Sequence, residues 1–427
     1  MIYVDTIKDE KKLLGCIYLL CMVCFTNLTF IQPELNFQAV IMGIVICFLI
    51  GYSYFIIRKF FPEGDKYIFI FACILSVTGI VMLYRIDIMN LAAHNIDVTN
   101  KVKNVQPITS YAIKQIIWFA FGVTGYILLE VLLPNIKRFA SYKYIYMVLT
   151  IIFMGMGTLF AKKEIYGAKN WVSIAGYSFQ PSEFGKIFLV AYLACALMDY
   201  DNFKDLIEPA FIVMVCLGFM VLQKDLGSAL IFFGISVTML YIATSKVKYV
   251  AACFGLFAAG SAISYKIFDH VRVRFMIWKD PMKYVNKESY QIVQSMISIS
   301  WGGLTGTGLG LGYPGYVPVN ATDFIFAVIC EELGILTGLA VLIIFFLMFY
   351  RCMRAAVFVQ NNFLRLVAVG YASMIASQAL VIVGGVINLI PLTGITLPLV
   401  SYGGSSMLTT FFALGIIQKI SEEGRLE

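Results

Sequence analysis

The chain has 427 residues, 60% hydrophobic and 13% charged, with a mean hydropathy of +0.85 and a formal charge of +7 from 32 Lys+Arg against 25 Asp+Glu. A soluble domain carries about a quarter charged residues, so this composition excludes a soluble enzyme, a disordered chain and a nucleic-acid-binding domain. What remains is an all-α polytopic membrane protein with little mass outside the bilayer, its positive excess residing in cytoplasmic loops.

A membrane-crossing helix needs about 20 predominantly apolar residues. On that criterion the chain offers spans at about 13–31, 37–57, 67–84, 115–133, 144–161, 184–198, 209–222, 226–244, 249–266, 324–349, 364–387 and 404–418. The pair 209–222 and 226–244, parted only by Gln223, Lys224 and Asp225, also reads as one broken or re-entrant element. The first run follows Lys11 and Lys12 like a signal peptide. No small-residue cleavage site follows it, so it is expected to stay as an anchor.

With the N-terminus inside, the basic loops 58–66, 134–143, 245–248 and 350–363 fall in the cytoplasm. The outer loops 32–36 and 388–403 then carry no Lys or Arg. Only the net acidic 199–208 departs from this positive-inside pattern, and an even span count returns the C-terminus to the cytoplasm. Three longer segments, 86–114, 162–183 and 267–323, are left on the outer face. The last mixes Trp278, Tyr284, Tyr290 and Trp301 with charges, as a folded loop lying on the membrane surface would. The ten cysteines all lie in or beside apolar runs, so neither a disulfide framework nor a metal-binding spacing is read. His94 and His270 are too few for a histidine-based metal site or a Ser-His-Asp triad.

Ionisable residues inside spans are costly and default to functional candidates. They are Arg85 at the end of the third span, Lys114 at the start of the fourth, Glu183 and Lys186 in the sixth, Asp225 between the seventh and eighth, and Asp323 opening the tenth. Each has a plain structural alternative. Glu183 and Lys186 are spaced as an ordinary i,i+3 ion pair, Asp225 is suited to capping a helix, and Asp323 to a first-turn carboxylate. Glu331 and Glu332 lie about 12 Å deeper along the expected helix, and only Glu331 shares the face of Asp323. The glycine run 302–310 lacks the pattern of a nucleotide loop. The Pro/Gly-interrupted stretches 171–183 and 391–406 cannot be continuous helices, and irregular backbone at membrane depth lines a wet cavity or is buried in protein.

Five stretches, GAKNWVSIAGYSFQPSEFGK (167–186), QKDLGSA (223–229), YQIVQSMISISWGGLTGTGLG (290–310), NATDFIFAVICEELG (320–334) and PLTGITLPLVSYGGSS (391–406), resemble the SEDS family of shape, elongation, division and sporulation proteins, the group of RodA, FtsW and SpoVE. They stand in family order across most of residues 67–427. The resemblance implies a ten-span core at 67–427 with a long extracytoplasmic loop at 267–323, leaving 1–66 as a two-helix extension. It also implies a peptidoglycan glycosyltransferase in the bacterial cytoplasmic membrane that polymerises lipid II outside it, alongside a class B penicillin-binding protein.

The family's essential Asp maps onto Asp323, its polar cavity onto Glu183, Lys186 and Asp225, and the Arg before its D-P motif onto Arg274. Gln291 and Ser405, within the matching stretches, complete the candidate cavity set. Lys224, Asn170 and Ile382 depart from the family pattern, where Pro, a basic residue and Asn are usual.

The implied chemistry joins a GlcNAc 4-hydroxyl to C1 of a MurNAc whose leaving group is undecaprenyl pyrophosphate. Asp323 is the candidate base. Arg274, Lys186, Arg85 and Lys114 are the candidate cations for the pyrophosphate, with a divalent cation, Mg or Mn, as possible help. A lipid II flippase and a non-catalytic scaffold for the penicillin-binding protein are the alternatives. No internal repeat of the transporter kind relates the two halves.

Overall fold

The computed structural model describes residues 2–31, 37–99, 110–133, 135–161, 169–174, 177–285 and 288–426. In lipid the backbone must satisfy its own hydrogen bonds, so the apolar runs become helices. They are α1 (Ile2–Ile31), α2 (Gln38–Phe60), α3 (Lys66–Thr99), α4 (Tyr111–Leu132), α5 (Lys143–Phe160), α6 (Pro181–Leu197), α7 (Ile207–Leu222), α8 (Leu226–Thr244), α9 (Val247–Ile267), α10 (Asp269–Lys279), α11 (Tyr290–Gly302), α12 (Ile325–Phe358), α13 (Asn362–Val386) and α14 (Gly404–Leu426). Each of the twelve expected spans has its helix. Among the described residues ten are long and apolar enough to cross a membrane; α6 has only 17 residues, and α14 carries Lys419, Glu422, Glu423 and Arg425 near its end.

Several expectations are refined. The 209–244 region is two helices, α7 and α8, parted by a tight turn in which Lys224 takes φ +59°. The 267–323 loop is built of α10, α11 and short 3-10 turns. The all-α expectation gains a small antiparallel hairpin, β1 (Val172–Ile174) and β2 (Tyr177–Phe179), in which Val172 opposes Phe179. The outer loop 32–36, residues 100–109 of the 86–114 segment and residues 162–168 and 175–176 of the 162–183 segment lie outside the described residues.

Between helices in lipid no water is released, so close packing and hydrogen bonds hold the bundle. The centre is α3 and α13, of whose most apolar stretches 83% and 78% are buried; none of that of α9, at the rim, is buried. The N-terminal pair packs along this centre, with the Phe25 ring 5.9 Å from Tyr84 of α3.

The polar contacts sort into two ends. At one, Arg58 meets Glu10, Arg351 meets Asp65, Lys143 meets Glu208 and Lys246 meets Tyr200. At the other, Asp87 accepts from the amides of Tyr111 and Ala112, Lys169 donates to the Gln223 carbonyl, and Tyr402 donates to that of Ala321. The first end gathers the basic loops.

The glycine run has a structural task at α12. This helix breaks at Gly334, whose φ of +83° and ψ of 162° are closed to other residues at low cost. A break orphans carbonyls on one side and amides on the other, and buried backbone groups must find partners. Here the amides of Thr307 and Gly308 donate to the carbonyls of Glu331 and Glu332, at 3.0 Å each. The carbonyls of Gly303 and Leu304 accept from the amides of Ile335 and Leu336, at 3.0 and 3.3 Å. The run is a splint across the break.

Side chains finish the splint. Glu331 accepts from the Ser298 hydroxyl and the Tyr313 amide, both at 2.6 Å. Glu332 accepts from the Gly310 amide and from Arg85 Nε, both at 2.9 Å. Glu331 therefore shares no site with Asp323, which itself precedes α12 in a turn closed by the Phe324 amide on the Val319 carbonyl.

Candidate active site

The irregular stretch 391–403 is the spine of the site. It comes close to α3 because Gly79 has no side chain: a Cβ there would lie 2.3 Å from the Val400 carbonyl oxygen. Ser401 donates to the Thr322 carbonyl at 2.5 Å, and its own carbonyl accepts from Gln115 Nε2 at 2.9 Å. These bonds fix the turn that carries Asp323, and a Cβ on Gly394 would lie 3.6 Å from Asp323 Oδ2.

Arg274, on α10, donates through Nη1 to the carbonyls of Leu392 and Thr393 at 3.1 and 3.3 Å. Among the described residues these are its only hydrogen bonds, in a fork that carries five donors. Burial pushes the pKa of its guanidinium down, while the charges of Asp225 and Asp323 favour its protonated form. Asp323 is half-buried. Burial pushes its carboxyl up to about 6, against the Thr322 hydroxyl and Arg274, which favour the charged form. A carboxylate with that pKa is ionised at neutral pH yet more basic than one in water.

Asp225 caps α8 as its position in the sequence suggested, accepting from the Ser228 amide at 2.9 Å. It also accepts from the Ser228 hydroxyl at 2.8 Å, from Asn170 Nδ2 at 2.7 Å and from Gln180 Nε2 at 3.1 Å. The glutamine precedes α6 and the asparagine precedes β1, so Asp225 ties the hairpin region to the α7–α8 turn. It is a cap and an anchor whose field reaches Arg274.

Deeper in the bundle Lys186 donates to Glu183 Oε1 at 2.8 Å and to Gln378 Oε1 at 2.7 Å. Gln378 passes the chain on to the Thr396 carbonyl at 2.9 Å and the Ser406 hydroxyl at 3.3 Å, and Thr409 donates to Glu183 Oε2 at 3.2 Å. This pair is buried and fully engaged; it holds α6, α13 and the 391–406 stretch in register. Gln378 and Thr409 escaped sequence reasoning, which outside the family-like stretches weighed only ionisable residues. An amide inside a 25-residue apolar helix was the available signal.

The other candidates lie apart. Arg85, expected among the pyrophosphate cations, is committed to the splint: besides Glu332 it donates to the carbonyls of Gly310 and Gly312 at 3.0 and 3.1 Å. Lys114 is exposed and acts on Asp87. Gln291 is half-exposed in the first turn of α11. Ser405 is half-exposed at the start of α14, where its carbonyl accepts from Thr409. Among the described residues no three His, Cys, Asp or Glu side chains form a metal-ligating group.

An unforeseen feature ends at Arg274. A cavity of about 920 Å³ runs between α7, α8 and α9, lined by residues such as Met214, Leu217, Phe233, Leu256 and Phe257 and also by Arg274 and Thr393. Met214 and Leu256 are 60% and 68% exposed, so it opens toward lipid. An apolar trough with a guanidinium in its lining matches a molecule with a long apolar tail and an anionic head.

Residues 65–426 match the model of the FtsW/RodA/SpoVE family of cell cycle proteins. The Mycobacterium leprae peptidoglycan glycosyltransferase RodA is 34% identical over 412 residues, covering 92% of this chain and 86% of that protein. The Bacillus subtilis probable peptidoglycan glycosyltransferase FtsW is 34% identical over 320 residues, covering 71% and 79%. The fold is that of a solved peptidoglycan synthase complex chain, with TM-score 0.67, 23% identity and coverage of 85% of this chain and 99% of that one. It is also that of the Thermus thermophilus rod shape determining protein RodA, with TM-score 0.59, 22% identity and coverage of 84% and 97%. With the family model spanning residues 65–426, the chain belongs to the FtsW/RodA/SpoVE family.

Proposed function

We propose that the chain is a peptidoglycan glycosyltransferase that polymerises lipid II at the outer face of the bacterial cytoplasmic membrane, with both termini in the cytoplasm. The observation that carries this reading is a desolvated carboxylate, Asp323, within the electrostatic reach of Arg274, whose guanidinium lines the apolar trough. The segregation of Lys and Arg to the opposite end supports the orientation.

Asp323 takes the proton of the GlcNAc 4-hydroxyl as its oxygen bonds to C1 of the MurNAc, and the C1–O bond to the polyprenyl pyrophosphate breaks with its electron pair. Arg274 stabilises the departing diphosphate; the trough holds part of the polyprenyl chain and so fixes the head beside Asp323. Lys186 and Glu183 keep the 391–406 stretch in place through Gln378 and Thr409. A divalent cation, Mg or Mn, would be held by Asp323 and would supply further positive charge to the departing diphosphate. A class B penicillin-binding protein is the partner, as the complex that shares this fold suggests.

The test is the chain purified in detergent with lipid II and no liposome. Glycan strands are expected, and they distinguish a polymerase from a flippase, which moves lipid without joining it, and from a scaffold. Absence of strands from folded protein, with and without a penicillin-binding partner, overturns the proposal.

A further inference from the structure

At the end opposite Asp323 a second cavity, of about 330 Å³, lies where α1, α2, α3, α12 and α14 meet. Its charged lining is Arg58, Lys66, Arg351, Arg354 and Arg425 against Glu10 and Asp65, an excess of three positive charges. Two cations are matched: Arg58 to Glu10 at 2.9 Å and Arg351 to Asp65 at 3.1 Å. Arg351 also lies over the Tyr67 ring, 4.2 Å from its centroid. Glu422 sits behind the 63–64 turn and accepts from the backbone amides there.

The remaining cations are the anomaly. Lys66 is 4% exposed, and its ammonium donates only to the carbonyls of Pro62 and Gly64, with no ion pair among the described residues. Glu10 and Glu422 act on it only from beyond ion-pair distance, and a buried ammonium without a counter-charge in contact is costly. Arg354 is exposed, with the Phe358 ring as its neighbour, and Arg425 stands 4.0 Å from an Asp65 already taken by Arg351. A buried unmatched lysine and two under-used guanidinium forks around one cavity form a receptacle for an anion whose oxygens accept several donors at once. Basic pockets between transmembrane helices at the cytoplasmic surface hold anionic lipid headgroups.

We propose that this cavity binds a phosphate group, a phosphodiester of an anionic lipid headgroup or free phosphate, held by Lys66, Arg354 and Arg425. Ile7 and Glu10 come from α1 and Arg58 from α2, all outside the matched family region, while Asp65, Lys66, Arg351, Arg354 and Arg425 lie within it. The N-terminal pair therefore contributes to the wall of the cavity, while the three cations that hold the anion belong to the core.

The test uses the full chain in neutral detergent, with binding of cardiolipin, phosphatidylcholine and inorganic phosphate read by native mass spectrometry and by the shift in melting temperature. Cardiolipin is expected to bind and raise the melting temperature, weakening as salt rises, and phosphatidylcholine to do neither. The paired substitution Arg354→Gln with Arg425→Gln should weaken binding at least tenfold without lowering the melting temperature of the ligand-free protein. Competition by millimolar inorganic phosphate would assign the site to free phosphate, and its failure to compete to the lipid headgroup. The unsubstituted protein supplies a second arm through salt dependence, should the variant not fold. Equal binding of cardiolipin by both proteins, or no binding of cardiolipin or phosphate by the unsubstituted chain, overturns the proposal.

Discussion

Replacing Asp323 with Asn keeps the size of the side chain and removes its capacity to take a proton. A positioned general base contributes about a hundredfold to ten-thousandfold, so polymerisation by Asp323→Asn should fall by at least two orders of magnitude. The structure adds a pH signature. The base works only when ionised, and burial sets its pKa at about 6. Activity is therefore gained as pH rises through that value: roughly nine-tenths of the carboxyl is ionised at about pH 7 and only about one-tenth at pH 5, a drop in rate of about tenfold.

Arg274 favours the ionised form of Asp323, so Arg274→Gln should move the midpoint of the profile to higher pH besides slowing departure of the pyrophosphate. The assay is strand formation from lipid II by the purified chain, followed from about pH 4.5 to 8.5 for the three proteins. If Asp323→Asn stays within about threefold of the unsubstituted protein, or keeps the same dependence on pH, the assignment of the base is refuted. A midpoint that does not move in Arg274→Gln would break the electrostatic link between the two groups.

Two further substitutions probe the scaffold and the trough. Gly334→Ala forces a left-handed position and puts a Cβ within 2.3 Å of the Leu304 carbonyl oxygen; backbone strain alone costs about 1–3 kcal/mol, so a lower melting temperature in detergent is expected, and an unchanged one refutes the splint. Gly260 lines the trough with open space beside it, so Gly260→Phe should fill the trough without straining the helix and raise KM for lipid II about tenfold with little change in kcat. An unchanged KM would separate the trough from the substrate.

The sequence alone determined the environment and the span pattern, because an apolar run of sufficient length has one low-energy answer in lipid: a helix. Hence α2, α5, α7, α8, α9 and α13 lie close to where hydropathy puts them. It also pointed to Asp225 as a cap, since capping is a local matter between the residue and the next three amides. The family motifs carried Asp323 and Arg274, which the fold brings to one place.

What only the tertiary structure decided are the non-local pairings. Arg85, Glu331 and Glu332 look like catalytic or binding charges in sequence; they serve the break at Gly334, whose orphaned backbone groups can be satisfied only by a loop some 30 residues earlier in the chain. Lys186 could not be assigned to Gln378 because amide and ammonium sit 192 positions apart. The trough and the basic receptacle are spaces between helices, set by crossing geometry that no single helix encodes. Composition dictates what each helix is; which polar group meets which depends on how the helices pack, and in lipid that packing is chosen by close contacts and hydrogen bonds rather than by hydrophobic collapse.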